Sequence, residues 1–175
     1  MNQANVVLVP DLTTCVTDDD GPVLSYGPLS VCCSLGNVSN VSMVHACKTP
    51  CHDYAVATFG HLIPKSERHL SCEIENNLFL NMIDARTPDK FSIDMFNAAM
   101  DFMWRSFEDK RHIVVHCNQG ASRSPMLCML FMAKRLRLFR ESDCLQTMLD
   151  FGKQFLFDPS DGIVRFVGGA WKHIR

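Results

Sequence analysis

The sequence lacks any long apolar run. Its longest, Met126 to Ala133, spans 8 residues, whereas a membrane-crossing helix needs about 20. No membrane partner is therefore expected. It also lacks a dominant charge. Lys+Arg 17 against Asp+Glu 19 leaves a net charge of −2, so no overall basic balance points to nucleic acid. There is no internal repeat, low-complexity tract or long Gly/Ser linker. Met1-Asn2-Gln3-Ala4-Asn5 lacks the positive flank of a secretory signal.

What is present fits a globular chain. A length of 175 residues predicts one domain over 1–175, long enough to bury a core without disulfide or metal staples. Hydrophobic residues make up 47% and charged residues 21%, which excludes a disordered chain and a coiled coil. Nine cysteines are about 5% of the chain, below the roughly 8–10% of short disulfide scaffolds. The count is odd and most of these residues lie in apolar runs. A reducing cytoplasm is expected, with most thiols acting as small core residues beside ten Met.

Three minor motifs carry ordinary readings. Asp18-Asp19-Asp20-Gly21-Pro22 is an acidic turn, and Asn37-Val38-Ser39 and Asn40-Val41-Ser42 are sequons without meaning in a cytoplasmic protein. Cys47-x3-Cys51-His52 and His69-x2-Cys72 hold ligand-type residues at spacings unlike paired zinc motifs. No metal and no cofactor are expected.

The first 75 residues read as short strands and turns. Strands are predicted at Val6 to Val9, Leu29 to Leu35, Tyr54 to Phe59 and Leu78 to Ile83. The period then changes. Phe96, Ala99, Met100, Met103 and Phe107 form one helical stripe, with Ser92 as N-cap. His112 to His116 reads as a buried strand, and Met126 to Leu138 as a central helix with Pro125 in its first turn. Further helices are expected over Ser142 to Phe155 and over Ser160 to about Val167, the latter broken at Gly168-Gly169. The predicted class is α/β: a central mixed or parallel sheet flanked by helices.

The chemistry concentrates where the buried strand meets the central helix, at Cys117-Asn118-Gln119-Gly120-Ala121-Ser122-Arg123. Successive backbone N–H groups in such a turn form an anion nest. The helix N-terminus adds about half a positive charge, and Arg123 adds a donor fork matched to phosphate oxygens. A thiol in that field ionises below its free value of about 8.5. Ser124 is placed to donate to the thiolate. His116 points away from the loop and is expected to fix its shape through hydrogen bonds to the loop backbone. A thiolate attacking phosphorus needs an acid to protonate the leaving oxygen. Asp84, which ends the fourth predicted strand, is the first candidate, followed by Asp89 and then Asp94. Cys128, or a cysteine from the N-terminal half, is a candidate to resolve an oxidised Cys117.

His116-Cys117-Asn118-Gln119-Gly120-Ala121-Ser122-Arg123-Ser124 resembles HCxxGxxRS, the signature of the cysteine-dependent protein tyrosine phosphatases, in the form of the dual-specificity (VH1-like) branch. Leu130-Phe131-Met132 and Phe157-Asp158-Pro159-Ser160-Asp161-Gly162-Ile163 also resemble segments of that branch. Asp84 lies 33 residues before Cys117, close to the branch's acid spacing. The match covers about residues 77 to 167, within an expected catalytic core of 76–175, and 1–75 are divergent. The acid loop has no Trp-Pro-Asp, and the cysteine loop has no Lys of the phosphoinositide enzymes. The resemblance implies a phosphatase loop between strand and central helix. It also implies a phosphorylated protein as substrate, hydrolysed at phosphotyrosine and at phosphoserine or phosphothreonine through a cysteinyl-phosphate. Cys117 would be the nucleophile and Arg123 the phosphate clamp. Asp84 would be the acid and then the base, and Ser124 would ease thiolate departure. Asn118, Gln119, Gly120, Ala121 and Ser122 would complete the cradle. The alternatives are an RNA 5′-phosphatase, drawn from the basic run Lys134, Arg135, Arg137 and Arg140, and a non-catalytic phosphopeptide-binding module.

Overall fold

The computed structural model describes residues 22–32, 40–62, 69–139 and 143–175. Five strands, β1 (Leu24–Pro28), β2 (Val41–His45), β3 (Ser71–Ile74), β4 (Asn77–Leu80) and β5 (His112–Cys117), form one mixed sheet in the order β1-β5-β2-β4-β3. β1, β5, β2 and β4 run parallel, and β3 pairs antiparallel with β4. The helices are α1 (Leu29–Cys32), α2 (Asp53–Phe59), α3 (Ile93–Glu108), α4 (Arg123–Lys134), α5 (Cys144–Gly152) and α6 (Asp161–Ala170).

Burial explains the centre. β5 lies between β1 and β2, and every residue from Ile113 to Cys117 is buried. An apolar run without alternation is what a parallel strand covered on both faces needs. α4 is buried from Arg123 to Ala133 because it packs on β5 and β1 and also touches α3 and α5. Ser92 caps α3 as expected, its Oγ accepting from Asp94 N at 3.3 Å. α3 then buries the stripe Phe96, Ala99, Met100 and Met103.

Several sequence expectations are corrected. Leu29–Cys32 is helical, not the start of a strand, while the rest of that prediction lies outside the described residues. Tyr54 to Phe59 is helix α2, in which only Ala55 is buried and Tyr54 is exposed. Such a short run of aromatic and β-branched residues suits a strand or a helix equally, and tertiary position decides. The Leu78 strand stops at Leu80, and α4 stops at Lys134 rather than Leu138. The helix expected over Ser142 to Phe155 spans Cys144–Gly152, capped by Asp143. β1, β2 and β3 were not predicted. Val6–Val9 and residues 18–21 lie outside the described residues.

α6 runs through Gly168-Gly169 without a break, and its glycines have opposite meanings. A Cβ on Gly162 would sit 2.7 Å from Thr87 N and 2.8 Å from Arg86 C, inside the main chain of the loop after β4. A Cβ on Gly168 would meet nothing within 4 Å. Gly162→Ala is expected to destabilise by about 1–3 kcal/mol through overpacking. Gly168→Ala is expected to stabilise by about 0.5–1 kcal/mol through helix propensity. Denaturant midpoints of the two variants check the opposite signs.

Candidate active site

Cys117 ends β5 and is 1% exposed. The thiol accepts from Gly120 N at 3.2 Å and from Ser124 Oγ at 3.3 Å. Burial pushes its pKa up. The Ser124 hydroxyl and N–H, the Arg123 guanidinium and the Gly120 N–H outweigh that and hold it below the ordinary thiol value. The loop turns back through Gly120 at φ 76°. A Cβ there would lie 2.6 Å from Pro28 N and 2.7 Å from Gly27 C, so the loop presses directly on the end of β1. Only glycine meets both conditions.

Arg123, the first residue of α4, is buried. Its Nη1 donates to Met82 O at 3.0 Å and its Nη2 to Asn118 Oδ1 at 2.8 Å. Nε is buried with no hydrogen-bond partner, and lies 3.8 Å from Asp84 Oδ2. A buried guanidinium nitrogen without a partner is a costly arrangement, and it is aimed at the only carboxylate the loop holds by a hydrogen bond among the described residues. Asp84 Oδ1 accepts from Ser122 Oγ at 2.8 Å. Asp84 is thus tied to the cysteine loop on both oxygens. Asp89 is not. It sits on an exposed turn, Pro88–Lys90, paired with Lys90 at 2.8 Å. Lys90 first, then Thr87, holds its carboxyl below the usual range. Asp94 lies in the first turn of α3, where Ser92 accepts from its N–H. Of the three carboxylates weighed from the sequence, the structure brings only Asp84 to Cys117's loop.

The remaining loop residues divide by exposure. Gly120 and Ser122 are buried, Ala121 is half-buried, and Asn118 and Gln119 are exposed. Asn118 bridges the rim: its Nδ2 donates to Thr49 O at 3.0 Å while its Oδ1 holds Arg123. A clamp that sequence reasoning missed comes from the segment before α6. Ser160 N donates to Ser122 Oγ at 3.1 Å, Ser160 Oγ donates to Ala85 O at 3.0 Å, and Asp158 N donates to Ala121 O at 2.8 Å. One segment therefore fastens the cysteine loop to the acid loop. Its only sequence signal was the Phe157–Ile163 match.

His116 is fully buried and points away from the loop, as alternation requires. It meets the Cys117 main chain and also His45 on β2, whose Nδ1 lies 2.6 Å from His116 Nε2. Burial and then His45 push the His116 pKa down to about 3, and burial pushes His45 down to about 4 against the Asn77 hydrogen bond. Both rings are neutral at physiological pH.

Cys128 is fully buried in α4, and burial, then Cys117, push its thiol well up, so it is poorly suited to resolve an oxidised Cys117. Of Cys47, Cys51, Cys72, Cys117, Cys128 and Cys144, none is in a disulfide. Two residues of the basic run make internal contacts, and Arg137 is exposed. Lys134 Nζ donates to Trp171 O at 2.7 Å and lies 3.9 Å from that indole's centroid, and Arg135 pairs with Asp101. Arg140 lies outside the described residues. Among the described residues, His52, His69 and Cys72 join no cluster of three ligand-type side chains, whereas His45, Cys51 and His116 do. No described helix is long and apolar enough to cross a membrane.

Comparison with known proteins places the fold. No protein-family model matches the chain, and no curated protein matches it in sequence. Solved structures do match. The Yvh1 phosphatase domain from Chaetomium thermophilum is 15% identical with a TM-score of 0.56, over 86% of this chain and 90% of that one. The human tyrosine phosphatase-like serine/threonine/tyrosine-interacting protein is 15% identical with a TM-score of 0.53, over 85% and 86%. The PTP-2 phosphatase of Cydia pomonella is 17% identical with a TM-score of 0.51, over 78% and 73%. The chain has the α/β fold these phosphatase domains share. One of the three is described as phosphatase-like and interacting, so the fold by itself does not separate catalysis from binding.

Proposed function

We propose that the chain is a cysteine-dependent protein phosphatase acting on phosphotyrosine and on phosphoserine or phosphothreonine. One observation carries the reading. Cys117 Sγ receives two hydrogen bonds from its own loop while the same loop holds a buried Arg123 and an Asp84 carboxylate. A binding module needs the cradle but neither a thiol held below its ordinary value nor an adjacent acid.

In this reading Cys117 thiolate attacks phosphorus, and the bond to the leaving oxygen breaks. The loop N–H groups of residues 118–123 and the Arg123 guanidinium hold the equatorial oxygens as charge spreads over them. Asp84 gives its proton to the departing oxygen. It then takes a proton from the water that hydrolyses the cysteinyl-phosphate, and Ser124 donates to the departing thiolate. The Ser122 hydroxyl keeps Asp84 over the loop, and Ser160 keeps the two loops in register. No step calls on a cofactor. Pairing of Lys134 and Arg135 within the chain leaves fewer free cations to support an RNA substrate.

The test is hydrolysis of p-nitrophenyl phosphate by the reduced chain in excess EDTA, with Cys117→Ser as control. Turnover that survives chelation and vanishes in the variant supports the reading. Binding of phosphate without turnover returns the chain to the binding-module alternative.

The thiol's environment gives a pH prediction. The acid limb of the kcat/KM profile follows ionisation of Cys117, which lies below the ordinary thiol value. Ser124→Ala removes the largest contributor that lowers it. The thiol pKa then rises, so the acid limb moves to higher pH. A limb that stays in place would detach it from Cys117.

A further inference from the structure

We propose that His45, Cys51 and His116 form a binding site for one zinc-class divalent cation directly behind the cysteine loop. The nitrogen and sulfur donors of these three side chains all lie within 4.8 Å of one another. They come from β2, β5 and the irregular turn Lys48–His52. Two imidazoles and a thiol are the donor set such a cation prefers. The inference does not depend on whether the chain hydrolyses phosphate.

The hydrogen bonds fix which nitrogens offer lone pairs. Asn77 Oδ1 only accepts, so the 3.2 Å contact from His45 Nε2 makes that nitrogen the N–H. His45 Nδ1 is then a lone pair aimed at His116. The 2.6 Å contact between them is bridged by a hydrogen on His116 Nε2. This leaves His116 Nδ1 as the unprotonated atom, buried and without a hydrogen-bond partner, on a ring that also meets the Cys117 main chain. An imidazole ligand whose far nitrogen donates to an oxygen acceptor is the arrangement seen around bound metals.

Binding rearranges two protons. The Cys51 thiol loses its proton to solvent as the metal–sulfur bond forms. The His116 proton moves from Nε2 to Nδ1, the unsatisfied buried atom, and frees Nε2 to ligate. Tetrahedral bonds of about 2.0–2.1 Å to nitrogen and 2.3 Å to sulfur put the two nitrogens about 3.3 Å apart and each about 3.6 Å from the sulfur. The histidine rings must therefore part slightly while Cys51, half-buried on its turn, closes in. In the metal-free chain the Cys51 thiol donates to Cys47, and that bond breaks as the metal–sulfur bond forms. Water takes the fourth position. The three ligands come from two neighbouring strands and the turn after β2 rather than from one local sequence pair.

The catalytic thiolate is the obvious competitor for such a cation, and the test separates the two. Cobalt(II) is titrated into the reduced full-length chain and into variants, and the charge-transfer band of a cobalt–thiolate bond is followed with the visible absorption of tetrahedral cobalt. One equivalent with both signals is expected in the parent and in Cys117→Ser. Cys51→Ser and Cys51→Ala, each checked for folding by circular dichroism, are expected to lose the charge-transfer band. Asn77→Ala is expected to keep the spectrum and bind about 10–100-fold more weakly. A band that persists in a folded Cys51 variant and disappears in Cys117→Ser would assign the metal to the catalytic thiolate and overturn the proposal. So would a parent chain that gives no tetrahedral cobalt spectrum.

Discussion

Replacing Cys117 by serine is expected to lower turnover on the order of 10⁴-fold or more while phosphate binding is kept. The size follows from the chemistry. The environment of this thiol is built to ionise it: burial opposes the charge, and the Ser124 hydroxyl and N–H, the Arg123 charge and the Gly120 N–H overcome that opposition. A serine hydroxyl starts far less acidic than a thiol, so the same donors leave it protonated and unable to attack. Removing the nucleophile of a covalent route removes the route rather than one interaction within it. Binding survives because the cradle does not depend on sulfur. Arg123 keeps its bonds to Met82 and Asn118, and Gly120 keeps its left-handed turn against Pro28. Single-turnover kinetics with p-nitrophenyl phosphate and competition by inorganic phosphate measure the two halves separately. Normal turnover in the variant would refute the mechanism. Loss of both functions with a folded chain would make Cys117 part of the binding site.

How far the sequence was readable depends on whether its signal was local. The unit from His112 to Lys134 was legible because every part is contiguous: an apolar strand, a Gly-containing turn, and a helix apolar on all faces. α3 was legible because its stripe recurs over 16 residues behind a Ser cap. β1 was missed because Gly27-Pro28 reads as a turn. It is an edge strand, where a proline without an N–H is tolerated. β3 was missed because an edge hairpin strand with Ser71 and Glu73 carries little apolar pattern. α2 was read as a strand because seven residues are too few for a helical period to declare itself. In the site, Cys117, Gly120, Arg123 and Ser124 share one turn of chain and were visible together. The His45 and Ser160 contacts were not. They join residues 71, 38 and 75 positions apart, and only the parallel register of β2 with β5 and the docking of α6 bring them together.

Asp84→Asn is expected to lower turnover on the order of 10²–10⁴-fold, the usual worth of general acid–base help, while Asp89→Asn leaves it unchanged. The sequence offered both carboxylates, and their surroundings now separate them. Asp84 accepts from Ser122 at 2.8 Å and lies 3.8 Å from the otherwise unpartnered Arg123 Nε. Asp89 faces solvent and Lys90. Asparagine preserves shape and can still accept from Ser122, so the acid loop keeps its place. What is lost is the transferable proton. Loss of the proton has its own signature. An alkyl phosphate, whose leaving alkoxide needs protonation, is expected to suffer near the upper end of the range. A nitrophenyl phosphate, whose phenolate leaves readily, is expected to suffer near the lower end. A merely structural aspartate would slow both substrates equally. Comparing kcat/KM for the two substrates in Asp84→Asn and Asp89→Asn therefore decides between the carboxylates. It also distinguishes a proton donor from a brace. Equal losses for both substrates, or a loss in Asp89→Asn instead, would remove Asp84 from the role of acid.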